Sequence, residues 1–214
     1  MGELKSKLGR KATETRERVL DAAEAIILAK SFGSVGINEV LAASGIPKGS
    51  FYHYFASKED FGVKLIERHA AIYGRELDRL LANDAPDARQ QLLWFLRFHI
   101  DYYTKNTCVL DCLIVKLSSE VSTMSETLRQ TVSKVTHDWT EKFVALVARG
   151  HADGSIAPEL DAGKTGAFLY ASWLGANTQV AVTKSVAPFE GLLHTLDSLL
   201  DGPHSHGGGG PAGT

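Results

Sequence analysis

Ile37-Asn38-Glu39-Val40-Leu41-Ala42-Ala43-Ser44-Gly45-Ile46-Pro47-Lys48-Gly49-Ser50-Phe51-Tyr52-His53-Tyr54-Phe55-Ala56-Ser57-Lys58-Glu59 decides the fold of this 214-residue chain. It reads as two short helices joined by a turn. Gly45 can supply a positive φ there, and Pro47 blocks continuation of the first helix. The first helix is expected around Glu39 to Ala43, the second from near Lys48 to Ala56. This is the geometry in which a second helix can enter the major groove of duplex DNA. Phe51 and Phe55 stand four apart, so they share a face and would anchor the second helix on its own small core. Ser50, Tyr52, His53 and Tyr54 then fall on or beside the opposite face. Their hydroxyl and imidazole groups can bond phosphate oxygens or base edges, while the rings can contact thymine methyls. Gly49 keeps the helix start slim. Lys48 and Lys58 are placed to meet phosphates, as are the N–H groups at each helix start. An aromatic-rich core is the competing reading, but so small a unit cannot bury both rows.

On the N-terminal side, residues 1–12 are polar and basic and read as a flexible arm. A helix is expected from Thr13, with Val19, Ala22, Ala23, Ile26 and Ile27 on one face, stopped by Gly33. On the C-terminal side, Ser57 caps a long helix carrying Phe61, Leu65, Ile72, Leu77 and Leu80. Further helices are expected at about Ala88 to Tyr103, Leu110 to Val121, Ser125 to Ala152, Ala162 to Lys184 and Ala187 to Leu200. No useful strand alternation occurs. The fold class is therefore all-α with about nine helices. The division runs 1–12 arm, 13–60 helix-turn-helix domain, 61–201 helical effector-binding and dimerisation domain, and 202–214 disordered tail. That tail is Gly/His-rich, and its His204-x-His206 pair is weak support for a metal.

Charge is uneven. The chain carries net −2 overall, with net +2 in residues 1–68 and net −4 in the remainder. A basic end is the footprint of a polyanion binder, although a solvated tail would look the same. Two cysteines are too few for a secreted disulfide scaffold. No apolar run approaches the ~20 residues of a membrane span, and no signal peptide is visible, so a cytoplasmic protein without membrane association is expected. No glycine-rich phosphate loop, serine elbow or paired metal carboxylates stand out, and no base lies near Cys112 in sequence. The expectation is no enzyme, no cofactor and no metal site.

The quoted stretch, with the helix before it, resembles the signature of the TetR/AcrR family of transcriptional regulators over about residues 13 to 68. The resemblance implies that Ser50, Tyr52, His53 and Tyr54 face the groove, that Asn38 starts the preceding helix, and that Lys58 clamps a phosphate. Many relatives carry Ser or Thr where this chain has Gly36, so a hydroxyl contact there is lost. It further implies a C-terminal domain that binds a small-molecule effector and dimerises through its last two helices. Phe168, Ala171, Gly175 and Ala176 would permit close helix approach, and Phe189, Leu192, Leu193, Leu196, Leu199 and Leu200 form a stripe. An intramolecular core would use that stripe equally well. A homodimer fits the chemistry, because one short recognition helix reads too few base pairs, whereas two copies about one DNA turn (~34 Å) or more apart read a palindromic operator.

The middle of the chain is aromatic. Phe98, Tyr102, Trp139 and Trp173 are candidate effector contacts, with His99, Asn177 and Gln179 as polar groups that could orient a ligand. Cys108 and Cys112, four apart, would share one face near a helix start whose dipole favours thiolate; Lys105 and Lys116 act with it, Asp111 and Glu120 against it. The run Cys112 to Ser122, with Tyr170-x-x-Trp173-Leu174-Gly175-Ala176, is similar to a subgroup resembling the N-ethylmaleimide reductase repressor, whose members answer reactive electrophiles or small unsaturated acids. That likeness implies Cys112 as sensor and Cys108 as modulator. Both thiols fit a role as small buried hydrophobes equally well, and a site of Cys108, Cys112 and His99 lacks a fourth metal ligand.

Overall fold

The opening helix, α1 (Gly2–Ala29), starts well before the expected Thr13. Residues 3–12 are mostly Glu, Lys, Leu, Arg and Ala, all strong helix formers, and no proline interrupts them, so the helix extends through the stretch read as an arm. The computed structural model describes residues 2–109, 111–118, 120 and 125–201, and the side chains of these except 2–9, 11 and 48. The tail from 202, with its His204-x-His206 pair, lies outside the described residues.

After α1 come α2 (Ile37–Ser44), a 3-10 turn at Lys48–Ser50 that runs directly into α3 (Phe51–Tyr54), and α4 (Lys58–Leu81). They are followed by α5 (Ala88–Lys105), α6 (Leu113–Leu117), α7 (Glu126–Asp153), α8 (Ala162–Thr183) and α9 (Ala187–Leu199). Among the described residues there is no strand. The helix ends follow local chemistry. Gly45 takes φ +66° after α2, as the turn requires. Before α4, the Asp60 N–H donates to Ser57 Oγ at 3.0 Å and the Ala56 N–H donates to Asp60 at 2.9 Å, a reciprocal cap. Asp87 caps α5 and Asp161 caps α8 through the N–H groups of Gln90 and Lys164.

The helix expected over Leu110 to Val121 is much shorter, and neither cysteine lies inside it. α5 ends at Lys105, and Thr107 and Cys108 both take φ near +54°. The Asn106 and Cys108 N–H groups turn back to the carbonyls of Tyr102 and Tyr103, closing the helix as a Schellman-type cap does, but without glycine. The same-face argument for the two thiols therefore does not hold.

The chain divides into two compact units, Met1–Leu77 with Leu110–Trp139, and Asp78–Val109 with Thr140–Thr214. α4 and α7 each contribute to both. The first unit is built on Val19, Leu20, Ala23 and Ile27 of α1, Val40 and Leu41 of α2, Phe51, Phe55, and Phe61, Leu65 and Ile66 of α4, all buried. α6 packs on α1 within it. The second unit is a helical core of Leu92, Phe95 and Leu96 from α5, Phe143 and Val147 from α7, Leu169 and Trp173 from α8, and Phe189 and Leu196 from α9. Gly166 lets α8 approach α7 closely, since a Cβ there would stand 2.7 Å from the Val144 Cα.

Candidate DNA interface and candidate sensing site

The aromatic helix is pinned from below. Phe51 and Phe55 are buried, with ring centroids 5.1 Å apart, and both pack on Phe61 of α4 at 5.6 and 5.0 Å. Arg16 of α1 lies over Phe55 at 5.7 Å. With Phe51 of α3 and Phe55 just after it committed inward, the side chains between them point away. Tyr52 is 67% exposed and His53 is exposed, while Tyr54 and Ser50 are half-buried. Gly49 and Asn38 are exposed, Asn38 one residue into α2. Lys58, the first residue of α4, holds its ammonium 5.6 Å from the Phe32 ring centroid, beside the N–H groups that open that helix. The backbone of Lys48 lies in the 3-10 turn, and its side chain falls outside the description. Gly36 sits before α2 in extended geometry without a side-chain cap. A short outward row of phenol, imidazole and hydroxyl groups, flanked by two helix starts, suits phosphate and base-edge contacts.

Cys112 is the other chemically distinctive residue. It precedes α6 in the first unit and is 4% exposed. Desolvation by burial pushes its thiol up to about 12, which outweighs the N–H groups of Val115 and Ile114 that favour the thiolate. The expected activation by a helix dipole is thus overridden, and Cys112 is a protonated thiol at neutral pH. Lys116 does not assist, being drawn toward Glu120 at 3.9 Å, while Glu120 accepts from the Phe32 N–H at 2.9 Å.

A base does lie near this thiol, contrary to the expectation from sequence. His69 of α4 is fully buried with Nε2 3.8 Å from Cys112 Sγ. The Leu113 N–H donates to the same Nε2 at 3.2 Å, so Nε2 carries the lone pair and the ring proton is on Nδ1. Nδ1 donates to Glu24 of α1 at 2.7 Å, and the other Glu24 oxygen accepts from Arg68 at 3.2 Å. Arg68 also reaches Glu17 and Asp21, tying α4 to one face of α1. Tyr73 stacks on the His69 ring at 4.1 Å and its hydroxyl donates to the Asp111 carbonyl at 3.1 Å. No local motif marks His69 and Glu24 as partners of Cys112, because they are distant from it in sequence. Their signal is a polar residue set inside an apolar stripe: Glu24 between Leu20 and Ile27, and His69 after Leu65 and Ile66.

The other candidates separate. Cys108 belongs to the second unit, is buried, and holds its Sγ 3.7 Å from the Tyr103 carbonyl. Trp139 is buried in the first unit, its indole nitrogen 3.4 Å from where a Cβ on Gly74 would lie. In the second unit Phe98 and Tyr102 stack along α5 at 6.2 Å, and Trp173 donates from Nε1 to His99 Nε2 at 3.0 Å. His99 Nδ1 donates to the Phe95 carbonyl at 2.8 Å, and burial lowers its pKa to about 4. Asn177 accepts from the Tyr103 hydroxyl and donates to the Trp173 carbonyl, whereas Gln179 is exposed. Among the described residues no group of three His, Cys, Asp or Glu is arranged to hold a metal ion, and no helix is long and apolar enough to cross a membrane.

α8 also presents an outward stripe. Phe168, Ala171, Gly175 and Val182 are exposed at spacings of three, four and seven, and Leu199 of α9 is partly exposed. Ala176, grouped with them from sequence, is buried instead.

Two family models cover this architecture. Residues 19–61 match that of bacterial regulatory proteins of the tetR family, and residues 88–196 match that of the tetracyclin repressor-like C-terminal domain. The chain is also 33% identical over 190 residues to the HTH-type transcriptional repressor NemR of Escherichia coli, covering 89% of this chain and 96% of that one. The chain belongs to the TetR family. The crystal structure of E. coli NemR in its reduced form superposes with a TM-score of 0.80 at 34% identity, over 89% of this chain and all of that one. The transcriptional regulator AcuR of Cereibacter sphaeroides is 29% identical over 169 residues, 78% of this chain and 76% of its own. This TetR-family chain is thus a helix-turn-helix transcriptional repressor that binds DNA, and it is not an enzyme.

Proposed function

We propose that this repressor works as a homodimer on a palindromic operator and leaves it when a small-molecule effector, a reactive electrophile or small unsaturated acid, acts at Cys112. Asn38, Lys48, Gly49, Ser50, Tyr52, His53, Tyr54 and Lys58 would carry the DNA contacts. The second copy would seat on the outward stripe of α8 and on α9, since exposed Phe168 and Val182 flanked by small residues are more apolar than a free helix face needs. Cytoplasmic location follows from the role.

The observation that carries the sensing part is the burial of Cys112 in the same unit as the recognition helix. An adduct on Sγ has no room there. Forcing extra atoms into a packed core costs about 1–3 kcal/mol, so two adducts per dimer would supply about 2–6 kcal/mol, against the ~5.5 kcal/mol needed to invert a 99:1 equilibrium. DNA-binding and released states would then exchange dominance by population shift. Phe98, Tyr102, Trp139, Trp173 and Cys108 are the further candidates to line an effector site or modulate the thiol.

The test is release of a bound duplex by N-ethylmaleimide. Wild type should dissociate as Cys112 is labelled, whereas Cys112→Ser should bind the same duplex with unchanged affinity and stay bound. Equal release of both proteins would make Cys112 structural.

A further inference from the structure

We propose that Cys112, His69 and Glu24 form a proton relay in which His69 is the general base that makes the buried thiol reactive and Glu24 fixes the base in its working tautomer. The inference rests on the reading that Cys112 is the reactive thiol, and it names how that thiol is switched on and what its reaction disturbs. A thiol that stays protonated at neutral pH is a poor nucleophile until its proton is taken during attack. The geometry supplies the acceptor. His69 Nε2 is 3.8 Å from Sγ and carries the ring's lone pair, shared with the Leu113 N–H at 3.2 Å, because Nδ1 holds the ring proton against Glu24 at 2.7 Å. Nucleophile, base and orienting carboxylate stand in the order that acyl-transfer enzymes use, here for a single stoichiometric event. The titratable groups around His69 are Glu24 from α1, Arg68 and Tyr73 from its own helix, and Asp111 and Cys112 from the segment before α6.

With an α,β-unsaturated carbonyl the step balances without a co-reactant. Sγ bonds to the β-carbon as its proton passes to Nε2, and the C=C pair moves to the carbonyl oxygen as an enolate. The imidazolium then returns the proton to the α-carbon. One S–H and one C=C π bond are lost, one S–C and one C–H bond are gained, and His69 ends neutral.

The relay is also a joint. Its lone pair is occupied by the Leu113 N–H at 3.2 Å, so taking the thiol proton displaces the first residue of α6 from α4. Glu24 stands on α1 in the ion cluster with Arg68, so charge on the imidazole is felt by the helix whose residues also bury Phe55. The step therefore disturbs α6, α4 and α1 together while His69 is charged; once His69 is neutral again, the adduct on Sγ alone keeps α6 displaced, within the unit that holds α3.

The experiment measures the rate of N-ethylmaleimide addition at Cys112 between pH 6 and 9, resolved by peptide mass, in full-length protein carrying Cys108→Ser. The relay predicts a weak pH dependence in this background. His69→Gln should slow addition on the order of 10²-fold at pH 7, the scale of general-base assistance, and restore a tenfold rise per pH unit. Glu24→Gln keeps an acceptor for Nδ1 but removes the charge, and should give a smaller slowing; it stands in if His69→Gln does not fold. A merely structural histidine predicts the reverse sign, since loosening the core exposes the thiol and speeds addition. Addition in His69→Gln or Glu24→Gln that is as fast as in the parent, with the same slope, overturns the relay while leaving Cys112 as the sensor. Absence of any Cys112 adduct in the parent overturns both.

Discussion

Replacing Tyr52 by alanine removes a side chain that is 67% exposed and meets the protein mainly through an edge contact with Phe51 at 5.3 Å. Such a contact is worth about 0.5–1.5 kcal/mol, so the fold should lose no more than about 1.5 kcal/mol. Binding should suffer far more. A hydroxyl or ring contact to DNA contributes about 1–1.5 kcal/mol, and a dimer loses two, giving about 2–3 kcal/mol, or about 30- to 150-fold in Kd at 1.4 kcal/mol per decade. Phe51→Ala, one residue away, should do the opposite first: it empties a fully buried site against Phe55 and Phe61 and should cost about 3–5 kcal/mol of stability. Urea unfolding read beside fluorescence anisotropy on a duplex selected from a random library separates the two. Normal affinity in Tyr52→Ala, or a stability loss matching that of Phe51→Ala, would refute the assignment of inward and outward faces.

Two further outcomes follow from the second unit. His99 has its pKa lowered from 6.5 to about 4 by burial, so between those values the unfolded chain takes up a proton that the folded chain refuses; stability should be complete above pH 6.5 and fall by up to about 3 kcal/mol as pH drops to 4. His99→Gln, which keeps an acceptor for Trp173, should remove that part of the slope in urea titrations, and an unchanged slope would contradict a buried neutral imidazole. Ala171→Glu places a charge on the exposed stripe of α8 and should leave a folded monomer in sedimentation velocity with weakened DNA binding; a persistent dimer would locate the interface elsewhere.

The DNA-binding half was legible in sequence because its determinants are local. Gly45, Pro47, the Phe51–Phe55 pair and the Ser57 cap act within a few residues, and each does in the structure what its chemistry requires. The same holds for the starts of α5, α8 and α9. The cysteine segment departs from its expected helix, because helical spacing is informative only where the chain is helical. Thr107 and Cys108 adopt left-handed geometry that side-chain-bearing residues seldom do, and no glycine marks the break. His69 and Glu24 are invisible as partners of Cys112 because His69 stands 43 positions before it and Glu24 a further 45 before His69, and only the packing of α1 and α6 on α4 joins them. Their reactivity logic also inverts the local expectation: burial raises the thiol, which makes the distant base necessary.

Selection of bound duplexes from a random library, followed by footprinting and stoichiometry, bears on the central claim most directly. The expected result is an inverted repeat with half-sites about one DNA turn (~34 Å) or more apart, two chains per duplex, and loss of protection in Tyr52→Ala. Retention without sequence preference, or one chain on an asymmetric site, would contradict it.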